Sequence, residues 1–282
     1  MELLLWIIGF SLIGGLLSVV VASSFLLLSN DARNVVVPHL VSFAIGSLLG
    51  ASFLGLIPHA MEHEYAVDAH TIGLTLLLGL LSFFLLEKMV LWRHCHSDHC
   101  EAHLPELELE LELDQHDHQH GHDHAKHNHQ NNKNKAAGTL ILIGDTFHNF
   151  VDGVLIAAAF MTDTHLGIVT ALAIAAHEIP QELGDFVILL HSGFTRKKAL
   201  YYNMLSSLGT VAGALLAYFA LSGMQHLLPY ILIIAASSFI YIAVADLIPG
   251  LHHKVKLSET LQQISLIAAG TIFIYIAHST LH

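Results

Sequence analysis

Eight stretches of this 282-residue chain read as membrane spans by their length and apolar content, and no other property narrows its fold so far. A spanning helix needs about 20 mostly apolar residues. The stretches lie near Leu3–Leu28, Val36–His59, Thr71–Leu91, Ala137–Met161, Leu166–Leu190, Ala199–Ser222, Leu227–Gly250 and Leu261–His278. Inside hydrocarbon every backbone N–H and C=O needs a partner within the protein, so only helices and closed barrels span. Runs of this length predict an all-α membrane protein with eight transmembrane helices. Glu2 is the only charge ahead of the first run, with no basic leader, so this run reads as an uncleaved span and not as a signal peptide. Three parts follow: helices 1–3 in residues 1–93, a His-rich, disordered, cytoplasmic loop in 94–135, and helices 4–8 in 136–282.

Direction comes from the cations. All 11 Lys and Arg fall in or beside odd-numbered loops. Arg33 is in loop one; Lys88, Arg93, Lys126, Lys133 and Lys135 are in or beside loop three; Arg196, Lys197 and Lys198 are in loop five; Lys254 and Lys256 are in loop seven. The positive-inside rule places these loops in the cytoplasm and both termini outside it, in a plasma or an internal membrane. A net charge of −12 disfavours nucleic acid as a partner. Gly46 and Gly50 permit close packing within the chain or a homodimer without choosing between them. The second run ends LGLIPHAMEH (Leu54 to His63) and the seventh ends ADLIPGLHH (Ala245 to His253). These two helices run in opposite directions, as the halves of an inverted repeat do.

Ionisable side chains within spans are expensive and mark pathways. Here they concentrate in the fourth run (Asp145, His148, Asn149, Asp152), the fifth (His177, Glu178, Gln181, Glu182, Asp185) and, singly, the seventh (Asp246). His148 and Asp152 are four residues apart and share a helix face, as do His177 and Gln181. Two antiparallel neighbours bring His148, Asn149, Asp152, His177, Glu178 and Gln181 to one depth. Two imidazoles, two carboxylates and two amides make a first shell for a divalent cation such as zinc. Pro180 frees the Ala176 carbonyl beside this group, and Gly153 and Gly184 allow close helix approach. Asp145, Glu182 and Asp185 lie on the cytoplasmic side of the group, an acidic ladder with His191 at its mouth, and Asp246 is a further pathway residue.

HNFVDG (His148 to Gly153) and HEIPQELGDF (His177 to Phe186) resemble the fourth- and fifth-span signatures of the Zrt/Irt-like protein (ZIP) family of metal transporters. The likeness is closest to the subfamily with a His-rich third loop, whose fifth span reads HEIPHELGDF. The resemblance implies a 3+2+3 helix arrangement with an inverted repeat, and inward transport of zinc, or of iron, manganese or cadmium, as cargo without a cofactor. It also implies a primary site of His148, Asp152, His177 and Gln181, with Asn149 and Glu178 at a neighbouring one. Two departures stand out. Gln181, a neutral and weaker ligand, replaces the usual His or Glu, and Thr210 stands where some members carry a sixth-span Glu. The expected function is alternating-access transport between helices 4 and 5, with protons competing for the ligands at acidic pH. A cation efflux carrier of another family is the alternative. A membrane metalloprotease is a distant third, because the HExxH pattern lacks its second His, and no enzyme is expected.

The loop between the third and fourth runs carries His94, Cys95, His96, His99 and Cys100 at its start and His116, His118, His120, His122 and His124 later. Between them the Leu/Glu alternation from Glu106 to Asp114 reads as a solvated segment. Two cysteines this close imply no disulfide framework, and in a reducing cytoplasm they are thiols beside labile zinc-binding imidazoles. The expectation is a regulatory metal buffer, separate from the transport site. Deleting residues 95–129 should leave uptake largely intact while changing its regulation, read by radiometal uptake. Loss of uptake by a normally inserted deletion protein would refute the separation.

Overall fold

The computed structural model describes residues 1–94, 124–252 and 256–281. Eight long helices and no strand occur among them: α1 (Glu2–Phe25), α2 (Asp31–Glu62), α3 (Ala69–His94), α4 (His124–Thr162), α5 (Thr164–His191), α6 (Arg196–Leu221), α7 (Gln225–Leu251) and α8 (Leu257–Leu281). Seven are long and apolar enough to cross a membrane. The exception is α5, the helix that holds His177, Glu178, Gln181, Glu182 and Asp185. Its polar content withholds the apolarity that its length would otherwise give. The helix α4 starts at His124, so the last loop residues to Lys135 are helical where composition predicted disorder. Extending a helix that is already nucleated adds one hydrogen bond per residue fixed, which offsets their poor propensity. The rest of the loop, 95–123, lies outside the described residues.

The packing has an internal exchange symmetry. The pair α3–α7 corresponds to α8–α2, α1–α5 to α6–α4, and α2–α5 to α7–α4, while α1–α6, α2–α7 and α4–α5 map onto themselves. This is the pattern of helices 1–3 exchanging with 6–8 about a central pair, the expected 3+2+3 repeat. Local backbone repeats it. A wide π-turn, Ala51–Leu56, precedes Ile57-Pro58 in α2, and another, Ile242–Leu247, precedes Ile248-Pro249 in α7. Proline lacks an N–H and crowds the carbonyl four residues back, and a widened turn accommodates both defects. A hydroxyl-to-carbonyl bond recurs in each outer pair. Ser237 donates to the Leu76 carbonyl (3.2 Å) between α7 and α3, and Thr271 donates to the Gly46 carbonyl (3.1 Å) between α8 and α2.

Glycines set how closely two pairs approach. A Cβ on Gly153 would lie 1.8 Å from the Thr210 carbonyl oxygen, and one on Gly213 would lie 1.9 Å from that of Phe150. The backbones of α4 and α6 therefore touch. Gly46 meets the Ile267 carbonyl and Gly270 that of Phe43, which seats α2 on α8. Gly46 and Gly50 are thus used within the chain. Gly184, expected to permit close approach, faces open space instead, because the nearby helices meet α5 on its other faces. In hydrocarbon such close backbone packing replaces the hydrophobic drive that water supplies elsewhere. Replacing Gly213 by Ala should destabilise the protein by about 1–3 kcal/mol through overpacking, read as a lowered Tm in detergent, whereas Gly184→Ala should leave Tm unchanged.

Candidate metal centre

One residue, Asp163, separates α4 from α5. Its extended backbone reverses the chain, and its carboxylate caps α5 by accepting from the backbone N–H groups of His165 (2.8 Å) and Leu166 (2.9 Å). So short a link forces α4 and α5 into an antiparallel pair. His148 stands fifteen residues before Asp163 and Glu178 fifteen after it, so both lie about 22 Å along their helices from the turn. The hairpin alone brings them to one depth.

The structure draws four ligand atoms together, from His148, Asp152, His177 and Glu178, all within 4.8 Å of one another. The two Nε2 atoms are 3.3 Å apart. His148 Nε2 is 3.3 Å from Glu178 Oε1 and 3.7 Å from Asp152 Oδ2. His177 Nε2 is 3.4 Å from Asp152 Oδ2 and 3.6 Å from Glu178 Oε1. Ligands bonded at about 2.0–2.2 Å to a tetrahedral zinc stand about 3.3–3.6 Å from each other. Each of these five separations is within about 0.1 Å of that range, so the group is of a size to hold one dication. His177 Nδ1 lies 3.2 Å from the Ala173 carbonyl. That bond places the ring proton on Nδ1 and leaves the Nε2 lone pair for a cation. Asp152, His177 and Glu178 are 1% exposed, and none of the carboxylate oxygens of Asp152 or Glu178 accepts a hydrogen bond. Buried acceptors left this way call for a cation.

The other expected residues fall elsewhere. Gln181 is half-buried and takes no part in these contacts; Glu178 stands with the other three in its place. Asn149 is turned towards α6. Its amide donates to Asp145 Oδ1 (2.9 Å) and accepts from the Thr210 hydroxyl (2.8 Å), while Ser206 also donates to Asp145. Asp145, buried and held by neutral donors, belongs to an α4–α6 network. Glu182 is 1% exposed, and neither of its carboxylate oxygens accepts a hydrogen bond. It lies within electrostatic reach of Asp145, Glu178 and Asp185. Asp246 sits in the π-turn of α7, within reach of both central imidazoles. His94 ends α3 and His124 opens α4, while Cys95, His96, His99, Cys100, His116, His118, His120 and His122 lie outside the described residues. Sequence reading passed over Glu87, which receives the Tyr241 hydroxyl across α3 and α7 and lies near Asp246. Its position inside the third apolar run was the available signal.

The sequence profile of the ZIP zinc transporter family matches residues 2–278. The chain belongs to the ZIP family. It is 30% identical over 281 residues to the zinc transporter ZIP13 of Gallus gallus, covering 89% of this chain and 77% of that one. It is 32% identical over 272 residues to the zinc transporter zipt-7.2 of Caenorhabditis elegans, covering 84% and 57%. It is 29% identical over 269 residues to the zinc transporter YKE4 of Saccharomyces cerevisiae, covering 89% and 72%. ZIP membership sets the protease reading aside. The hydrogen-bonding of Asn149 gives it a structural part within that frame. Asn149→Ala should lower stability by about 1–3 kcal/mol through the orphaned Thr210 and Asp145 groups, read as Tm, and reduce metal uptake less than His148→Ala does.

Proposed function

We propose that this protein carries divalent metal, zinc foremost, across its membrane into the cytoplasm through the site formed by His148, Asp152, His177 and Glu178. The four converging ligand atoms, buried in the centre of an all-helical apolar bundle, carry the reading. Two neutral imidazoles and two carboxylates exactly cancel the charge of one dication, so the loaded site is neutral where a lone ion would be expelled. Two imidazoles favour a borderline ion such as zinc over calcium or magnesium, which take oxygen. The names of the relatives, all zinc transporters, support the same cargo.

Release follows the acidic side chains. Glu182 and Asp185 continue the Glu178 face along α5, and Asp145 faces them from α4. They lead towards the end of the bundle that bears the cationic loops, which the positive-inside rule assigns to the cytoplasm. The His-rich loop on that side acts as a metal buffer and regulator. Radiozinc uptake into proteoliposomes tests the proposal, with iron, manganese and cadmium as competitors. His148→Ala and His177→Ala should each fall to the level of empty vesicles while keeping a wild-type Tm. Wild-type uptake by folded His177→Ala protein would overturn the site.

A further inference from the structure

A second group of metal-binding side chains gathers at the opposite end of the bundle, where loops two, four and six carry no Lys or Arg. His59 ends α2, Asp163 forms the α4–α5 turn, His165 opens α5 and His278 ends α8. The rings of His59 and His278 meet edge to face with centroids 5.3 Å apart. His59 Nδ1 lies 2.9 Å from the Gly55 carbonyl, which puts the ring proton there and the lone pair on Nε2. Both backbone bonds to Asp163 go to Oδ1, which fixes the carboxylate in the turn. Burial pushes the Asp163 carboxyl up, but the Leu166 and His165 N–H groups, and then the imidazoles of His165 and His59, hold it below its usual range. Two imidazoles from two helices therefore lie within electrostatic reach of one carboxylate.

This group differs from the central one in being loose. All four side chains are half-buried, and among the described residues only the central four have ligand atoms drawn within 4.8 Å. To share one borderline dication these half-buried side chains must swing closer together and leave part of its shell to water, so binding there is weak and reversible. The surrounding loops add Glu62, Glu64 and Asp68, so the field at this face attracts cations. His165 precedes His177 by twelve residues of α5, about 18 Å. In that interval Leu56, Ile156, Leu166, Val169 and Ile174 belong to one apolar cluster and are fully buried. A dry plug thus separates the two groups.

We propose that His59, Asp163, His165 and His278 form an outer capture site for zinc or a similar borderline dication, which concentrates the ion at the mouth and supplies the central site when the apolar plug parts. The proposal rests on the transport reading above, and its test separates the two. Initial radiozinc uptake by cells expressing the full chain is measured against free zinc, with Tm of each purified variant as a folding check. His59→Phe with His278→Phe keeps the ring contact and removes the ligands; it should raise the apparent KM about tenfold with Vmax unchanged. His59→Cys should restore a low KM and shift preference from zinc towards cadmium, since a thiolate is the softer ligand. An unchanged KM in the double Phe variant, a fall in Vmax alone, or no cadmium shift with Cys would overturn the capture site. Full uptake by His177→Ala would instead overturn the transport reading.

Discussion

Two carboxylates lie 1% exposed in the middle of an apolar bundle, and none of their four oxygens accepts a hydrogen bond. Isolated charges in such surroundings cost several kcal/mol each, and imidazoles alone relieve little of that while they stay neutral. A dication between Asp152, Glu178, His148 and His177 would remove that imbalance. The polar groups themselves shape the fold around them. A helix carrying Glu178, Glu182 and Asp185 is unfit to face lipid, so α5 is enclosed by α1, α2, α4, α6 and α8, and its central residues are buried on nearly every side.

Enclosure of a polar helix by apolar ones needs close packing, because lipid competes with protein for apolar surface. The contact of α4 with α6 supplies it through Gly153, Gly209 and Gly213, each set against backbone of the facing helix. The same interface carries the network of Asp145, Asn149, Ser206 and Thr210, so the helix that presents His148 and Asp152 is held by sterics and by hydrogen bonds together. On the other side, α2 and α7 flank the central pair with their ladders interrupted by π-turns and prolines at matching places. Asp246 occupies one of these interruptions, at the point where the α7 backbone is least regular.

The spans were legible because hydrocarbon leaves so few choices, and the metal centre because ionisable residues inside apolar runs have few innocent explanations. What spacing could not give was rotation. His148 and Asn149 are neighbours in sequence but point about 100° apart on a helix. Only the seating of α4 on α6 decides that His148 faces α5 while Asn149 faces Thr210. The same angle separates His177 from Glu178, yet both reach the cluster, because α4 lies over the groove between them. Gln181, one turn past His177, had the better spacing and lost the place to Glu178. Glu87 lies within the third apolar run beside Lys88, and only the fold shows that it is joined to Tyr241.

The exchange of Gln181 for Glu178 also bears on how the ion leaves. Had the amide been the fourth ligand, one carboxylate would face a dication and the loaded centre would keep a net positive charge. With Glu178 in the shell the loaded centre is neutral, and the charge needed for release lies further along the same helix face. Glu182 has two oxygens that accept no hydrogen bond and is within electrostatic reach of Glu178. On the proposed route an ion moving one helical turn would exchange one buried carboxylate for another. The order of affinities among first-row dications is the same in almost any site of nitrogen and oxygen. On the proposed function, selection would therefore come from the spacing of the four central side chains and from which ions reach them, more than from the strength of any single bond.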